Sequence, residues 1–439
     1  LGSSATALAA PYFVPARVFA QPPSDRVVHA CIGTDGMGWS DVTSLATHPN
    51  IQIVALCDVD VDRMGQASEK YPQARRYQDW RELLESEADK IDSVNVSVPD
   101  HMHAPISMMA ILRGKHVYCQ KPLTHEVAEA RALRLAAKRK QVVTQMGNQI
   151  QSADVYRTAV KAIQDGMIGG VKAIHAWTGA HFPQSGRPPG QDPIPASLDW
   201  DKWLGVAPVR PFKAGLYHTF NWRGWQDFGG GAIGDFGCHI LDTPFKALGL
   251  TAPRTLRAEV PQEWADNPAL NRECWPVWEI IHYEFPGSSQ TTDSTLPVTW
   301  YDGGKQPARD VFGFTSANEP IPGSGALFIG EQANLLLPHV GAPRLLGGTK
   351  AAEAAIGHVD GFSHYHAFID ACLGQGETGS SFEFGGPLAE ASLLGTIAVR
   401  FPGKTLEWDA ENLKITNDEQ ANQFVARRYR KGWEIPELA

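Results

Sequence analysis

The 439-residue sequence has no Cys-x-x-Cys pair, no apolar run long enough to span a bilayer and no long run of one charge sign. The first absence argues against a zinc cluster or a dithiol redox pair, and the second against a membrane span. The third, with a net charge of −9, argues against a nucleic-acid surface and leaves a small-molecule substrate as the better fit. Internal repeats are lacking as well. The six cysteines are scattered, and Cys31, Cys57 and Cys119 lie in apolar strand-like runs, as buried free thiols do. With 43% hydrophobic and 20% charged residues, the composition is that of a globular chain long enough for two domains.

Residues 1–24 are set apart. The stretch LGSSATALAAPYFVPARVFA is small and apolar and carries Ala-x-Ala-like spacing, so it reads as an N-terminal arm or the remnant of an export signal. The expectation is a periplasmic or secreted protein, with the twin-arginine route suiting its free cysteines and the cytoplasm as the alternative.

Residues 26–32 form a short apolar run consistent with a buried parallel strand. The run feeds Gly33-Thr34-Asp35-Gly36-Met37-Gly38, a helix over 39–47, and a second apolar run over 51–57 that ends at Asp58. Strand, glycine turn, helix, strand and acid make the context of a dinucleotide site. Backbone N–H groups at the turn can hold a pyrophosphate, while Asp58 would accept from ribose hydroxyls and repel a 2′-phosphate. NAD is therefore expected rather than NADP. Asp35 stands where the second glycine of G-x-G-x-x-G would fall, so Gly36 is expected to supply the close approach, with Asp35 turned away.

Helices over 80–86, 104–113 and 126–139 alternate with strands over 91–98, 116–119 and 141–146. The pattern predicts a doubly wound parallel sheet over residues 25–150. Strand 116–119 runs into Gln120-Lys121-Pro122. A residue before proline is biased toward extended backbone, which places Lys121 at a strand end, where open α/β sheets bind ligands. Taken locally, Lys121 is equally a solvated loop lysine.

Residues 151–439 have a different texture. A helix over 155–165 and a strand over 171–178 precede a long loop, 179–229, rich in Pro, Gly and Trp. Residues 229–248 begin with glycines and become a helix. Alternating runs over 255–260, 277–285, 289–300, 326–329 and 334–337 predict a mostly antiparallel sheet. Helices over 362–373 and 387–399 follow, and the C-terminal part is expected to pack back on the body. The H-x-H pairs His101/His103 and His364/His366 lack a third ligand at convincing spacing, so no metal is expected.

With the glycine turn, Asp58, Ser97-Val98-Pro99-Asp100 with His103, Gln120-Lys121-Pro122, and Gly234-Asp235-Phe236-Gly237-Cys238-His239 followed by Asp242, the chain resembles the Gfo/Idh/MocA oxidoreductases. One departure is Gln120, where that family usually has glutamate. The resemblance implies a Rossmann domain followed by an α/β domain with an open, mostly antiparallel sheet, often a homodimer or homotetramer. It implies an NAD-dependent oxidoreductase acting on a sugar, polyol or glycoside. Its alternative is glycoside cleavage by transient oxidation and elimination with tightly bound NAD.

Lys121, Asp235 and His239 are the expected catalytic residues. Lys121 would stabilise a developing alkoxide, His239 would act as base, and Asp235, one helical turn earlier, would orient the imidazole. Locally, Asp235 is equally a helix cap and His239 a core histidine. The expected cofactor contacts are Gly33, Gly36, Met37, Gly38, Asp58, Pro99, Asp100, His103, Gln120 and Lys121. Trp222, Arg223, Gln149 and Tyr156 are the expected substrate contacts.

Overall fold

The computed structural model describes residues 25–347 and 355–438. The N-terminal arm and its export reading lie outside the described residues. Six strands, β1 (Val27–Ile32), β2 (Ile51–Cys57), β3 (Arg75–Tyr77), β4 (Ser93–Val96), β5 (His116–Gln120) and β6 (Thr144–Gly147), form a parallel sheet in the order β3-β2-β1-β4-β5-β6. The order reverses beside β1, so the ends of β1 and β4 open a crevice.

Nine further strands make the second sheet. They are β7 (Val171–Thr178), β8 (Thr255–Glu259), β9 (Ile280–Pro286), β10 (Thr295–Tyr301), β11 (Ser324–Gly330), β12 (Asn334–Pro338), β13 (Arg344–Leu346), β14 (Leu406–Asp409) and β15 (Lys414–Ile415). Their order is β13-β12-β11-β7-β10-β9-β8-β14-β15, antiparallel except for β7 with β10. The last three strands in sequence have two to four residues, too few to show alternation.

Two helices differ from the sequence expectation. The segment 229–248 is two helices, Gly231–Ile240 and Asp242–Leu248. Pro244 is the third residue of the second, where its missing N–H has no intrahelical partner to lose. The last long helix runs Phe382–Arg400 and starts ahead of Pro387. Gly385 and Gly386, within the added first turns, serve close approach. A Cβ on either would stand 3.2 Å from Met146 or Arg134. This helix packs on helix Val127–Lys140, and helix His364–Cys372 packs beside Met37–Leu45. The C-terminal stretch thus returns to the first sheet.

The loop 179–229 is an ordered lobe. Trp200, Trp203, Tyr217, Trp222, Trp225 and Phe228 are buried together, with Trp200 and Trp203 stacked at 4.7 Å. Arg187 lies 4.7 Å from the Trp225 ring centre and pairs with Asp227 at 2.6 Å. The lobe docks on the end of β2. Asp199 N donates to Val59 O at 2.9 Å, Val61 N to Ser197 O at 3.0 Å, and His218 Nε2 meets Asp60 Oδ2 at 3.1 Å.

Candidate active site

The crevice at the strand ends is a cavity of about 310 Å³, walled on one side by the glycine turn and on the other by Lys202, Trp203 and residues 218–220 of the lobe. A Cβ on Gly33 would run into the Ser97 carbonyl, and one on Gly38 into that of Gly33. Gly36, at φ +54°, has open space where a Cβ would be. A side chain there would occupy the space in which a phosphate meets backbone N–H groups. Asp35 does not turn away from the crevice as expected: it lines the cavity, where its carboxylate pairs with Arg63 and its charge is offset.

Asp58 ends β2. Its Oδ2 accepts from Thr34 N at 3.0 Å and Thr34 Oγ1 at 3.3 Å, and its Oδ1 from Asp60 N at 3.1 Å. Burial pushes its carboxyl up to about 6, against the pull of those donors. The acid braces the turn as well as lining the cavity. Asp58→Ala should weaken NAD binding about tenfold or more, the scale of one charged hydrogen bond. Calorimetric titration reads this directly, and unchanged affinity would remove Asp58 from the cofactor site.

Lys121 stands where β5 ends. Its Nζ donates to Asp235 Oδ1 at 2.6 Å and to the Asp235 carbonyl at 2.8 Å. Arg223 Nε donates to the same Oδ1 at 3.1 Å, and its guanidinium lies over Phe220 and Trp222 at 4.4 and 4.3 Å. The Lys121 and Asp235 side chains keep 14% and 15% exposure. Burial alone would raise the Asp235 carboxyl, but the charges of Lys121 and Arg223 bring it down to about 2. Asp235 is therefore tied to two cations. No hydrogen bond joins it to His239, although both lie on one face of helix Gly231–Ile240.

His239 differs from the near-neutral base expected. Burial first, then the charges of Lys121 and His339, bring its imidazole down to about 3. Its Nδ1 is buried without a partner. His339, just past β12, was missed in the sequence. Its ring centre is 5.7 Å from that of His239, and its Nδ1 lies 2.9 Å from the Tyr156 hydroxyl. The chain brings it there from 100 residues downstream, beyond the reach of any spacing argument.

Gly33, Gly36, Met37, Asp58, Pro99, Asp100, Gln120, Lys121, Trp222 and Arg223 line the cavity. Asp100 Oδ2 also accepts from Gly230 N at 3.1 Å, tying the first sheet to the start of the Asp235 helix. Burial pushes the Asp100 carboxyl up to about 7. Four expected contacts lie elsewhere. Gly38 packs on Gly33, and His103 is buried with its Nε2 donating to Val98 O at 2.7 Å, so it braces the Ser97–Pro99 turn. Gln149 donates to the Tyr118 and Tyr365 hydroxyls at 3.1 and 3.3 Å, and Tyr156 is buried against His339. His101, His364 and His366 bond Trp203 O, Ser152 Oγ and Thr47 Oγ1, which gives each a structural partner.

These features define a chain of two sheets with a crevice of the dinucleotide-binding type at the strand ends of the first. Residues 28–148 match the family model described as an oxidoreductase family, NAD-binding Rossmann fold, and residues 154–290 match its C-terminal alpha/beta domain. The chain belongs to the Gfo/Idh/MocA oxidoreductase family. It is 24% identical over 188 residues to levoglucosan dehydrogenase of Pseudarthrobacter phenanthrenivorans, a match covering 43% of this chain and 40% of that protein. It is 29% identical over 157 residues to inositol 2-dehydrogenase of Rubrobacter xylanophilus, covering 35% and 44%. The chain thus spans less than half the length of these two curated relatives.

Solved structures extend the likeness of fold. The inositol dehydrogenase homolog of Azotobacter vinelandii, complexed with NADH and myo-inositol, is 18% identical with a TM-score of 0.58, over 88% of this chain and 99% of that one. The WlbA dehydrogenase of Bordetella pertussis, in complex with NADH and UDP-GlcNAcA, is 13% identical with a TM-score of 0.61 over the same shares.

Proposed function

We propose that this chain is an NAD-dependent oxidoreductase of a sugar, polyol or glycoside, with Lys121 and His239 handling the proton of the reacting hydroxyl. The observation that carries the reading is the Lys121–Asp235–Arg223 cluster at the strand-end cavity, its aspartate on the helix that also bears His239. NAD, when bound, supplies the hydride acceptor. The glycine turn and Asp58 would hold its pyrophosphate and ribose, and Gln120 the end nearest Lys121.

The remaining work falls to this chain. Asp235 fixes the Lys121 ammonium with two of its three N–H groups, and the third can hold the substrate oxygen and stabilise charge that develops there. His239, which burial holds neutral at ordinary pH, would accept the hydroxyl proton on a ring nitrogen. Arg223 offers N–H groups to neighbouring hydroxyls, while Phe220 and Trp222 offer apolar faces to sugar C–H groups. The lobe forms one wall of the cavity through Trp203, Phe220 and Trp222.

Two outcomes test the chemistry. Because His239 sits far below a free imidazole, its own contribution to the acid limb of kcat/KM should lie below 6.5. A limb between 6 and 7 should come from Asp58 and Asp100, whose carboxyls burial raises to about 6 and about 7, and should shift in Asp58→Asn or Asp100→Asn. A limb at 6.5 that both variants leave in place would contradict the assignment. Arg223→Ala should raise KM for the carbohydrate about tenfold or more with a smaller change in NAD affinity, and an unchanged KM would remove Arg223 from the substrate site. Mass spectrometry of the denatured protein for NAD(H), followed by a panel of sugars, polyols and glycosides, tests the reading as a whole. Reduced nicotinamide should form with at least one of them.

The reading extends to a periplasmic or secreted homodimer or homotetramer, the first from the composition of residues 1–24 and the second from what the family resemblance implies of the open sheet. Fractionation and sedimentation test it.

A further inference from the structure

Gln120 stands where the family usually has glutamate, and the structure shows a carboxylate directly behind it. Asp41 is fully buried on helix Met37–Leu45, the helix that the glycine turn begins. Gln120 Nε2 donates to both of its oxygens, at 2.9 and 2.8 Å. Ser97 Oγ donates to Oδ2 at 2.6 Å and the Tyr365 hydroxyl to Oδ1 at 2.9 Å. Behind these, Asn95 Nδ2 donates to Ser97 Oγ at 2.9 Å, and Gln149 to the Tyr365 hydroxyl.

A carboxylate only accepts, so each neighbour must turn a donor toward it. An amide has one donating and one accepting end. With Nε2 committed to Asp41, Oε1 is the polar atom that Gln120 can offer to the cavity it lines. Gly147 gives the amide room, since a Cβ there would stand 2.8 Å from the Gln120 amide carbon.

We propose that Asp41 is a positioning residue that locks the Gln120 amide with its oxygen toward the cavity. This neutral side chain then presents to a hydroxyl or carboxamide donor of the dinucleotide the acceptor that a glutamate would present. The pair keeps one negative charge, moved from the strand end to the helix behind it. Burial pushes the Asp41 carboxyl up to about 6 against the pull of its three donors. A glutamate at 120 would set two buried carboxylates in contact, and one would have to hold a proton. Changing both residues restores one donor facing one acceptor, because Asp41→Asn supplies a donating amide for the new carboxylate.

The inference rests on the nucleotide site alone, and NAD titration needs no carbohydrate, so failure of the sugar reading leaves it standing. The test is a cycle of wild type, Asp41→Asn, Gln120→Glu and the double variant, with NAD affinity by calorimetry and Tm for each. Each single change should weaken NAD binding about tenfold. The double variant should return to within about threefold of wild type, a coupling that independent sites would not show. Should a single variant be too unstable to titrate, the cycle is read from Tm, where the double variant must exceed Gln120→Glu. The proposal is overturned if Asp41→Asn binds NAD as wild type does, or if the double variant recovers neither affinity nor Tm.

Discussion

Lys121→Met lowers kcat/KM by about two to four orders of magnitude, the range expected when a group that holds the reacting oxygen is lost, while NAD affinity changes by less than about threefold. The methionine keeps the length and apolar bulk of the side chain and removes the ammonium. Asp235 retains Arg223 as a partner at 3.1 Å, so the local fold has a cation left. The loss should fall on kcat and kcat/KM together, as for an interaction made chiefly in the transition state. Initial rates on the carbohydrate found in the panel, with a parallel NAD titration, check this. A variant with near wild-type kcat would return Lys121 to a structural role.

Asp235→Asn has the second large effect, on stability as well as rate. One oxygen of Asp235 accepts from both Lys121 and Arg223. Its replacement leaves two cations close together in a largely buried site without a compensating charge. Breaking such a pair costs about 3 kcal/mol or more. The depression of the Asp235 carboxyl from 3.8 to about 2 corresponds to about 2 kcal/mol of stability.

That contribution is fully present above the unfolded value of 3.8 and is lost as pH falls toward 2. Wild type should therefore lose stability across this window, and Asp235→Asn should lose less there from a lower starting point. Thermal melts from pH 7 down to pH 2.5 read both quantities. Parallel curves would mean that the Asp235 charge is not linked to folding. Activity should fall as well, because Lys121 loses the group that aims it.

The first sheet was legible because each unit carries a local sign. β2 was bounded at Ile51–Cys57 by its apolar run, and Asp58 stood at its end as expected. Lys121 was placed at the end of β5 by the proline after it. Asp35 was expected to turn away, whereas it lines the cavity paired with Arg63, a partner not anticipated because an ion pair 28 residues apart leaves no periodicity.

What could not be read was partnership. Asp235 and His239 share a helical face, which suggested that one orients the other. The carboxylate prefers Lys121 and Arg223, full charges that an imidazole emptied of its proton by burial does not match. His103 sits beside the motif that lines the cavity, yet burial turned it inward to a carbonyl. The lobe at 179–229 had the aromatic content of an ordered loop, but its docking on Val59, Asp60 and Val61 depends on tertiary contacts alone. Asp41 offered one overlooked signal, an acid one helical turn after Met37 on the face that the glycine turn directs inward.

The central claim is hydride exchange between a carbohydrate carbon and NAD in the cavity bounded by Asp58 and Lys121. The most direct test incubates the protein with carbohydrates deuterated at their carbinol carbons and analyses the nicotinamide cofactor by mass spectrometry after denaturation. The account predicts deuterium on the reduced cofactor with at least one carbohydrate, and its loss in Lys121→Met. Folded protein with NAD bound, and no deuterium on the cofactor with any of them, would contradict it.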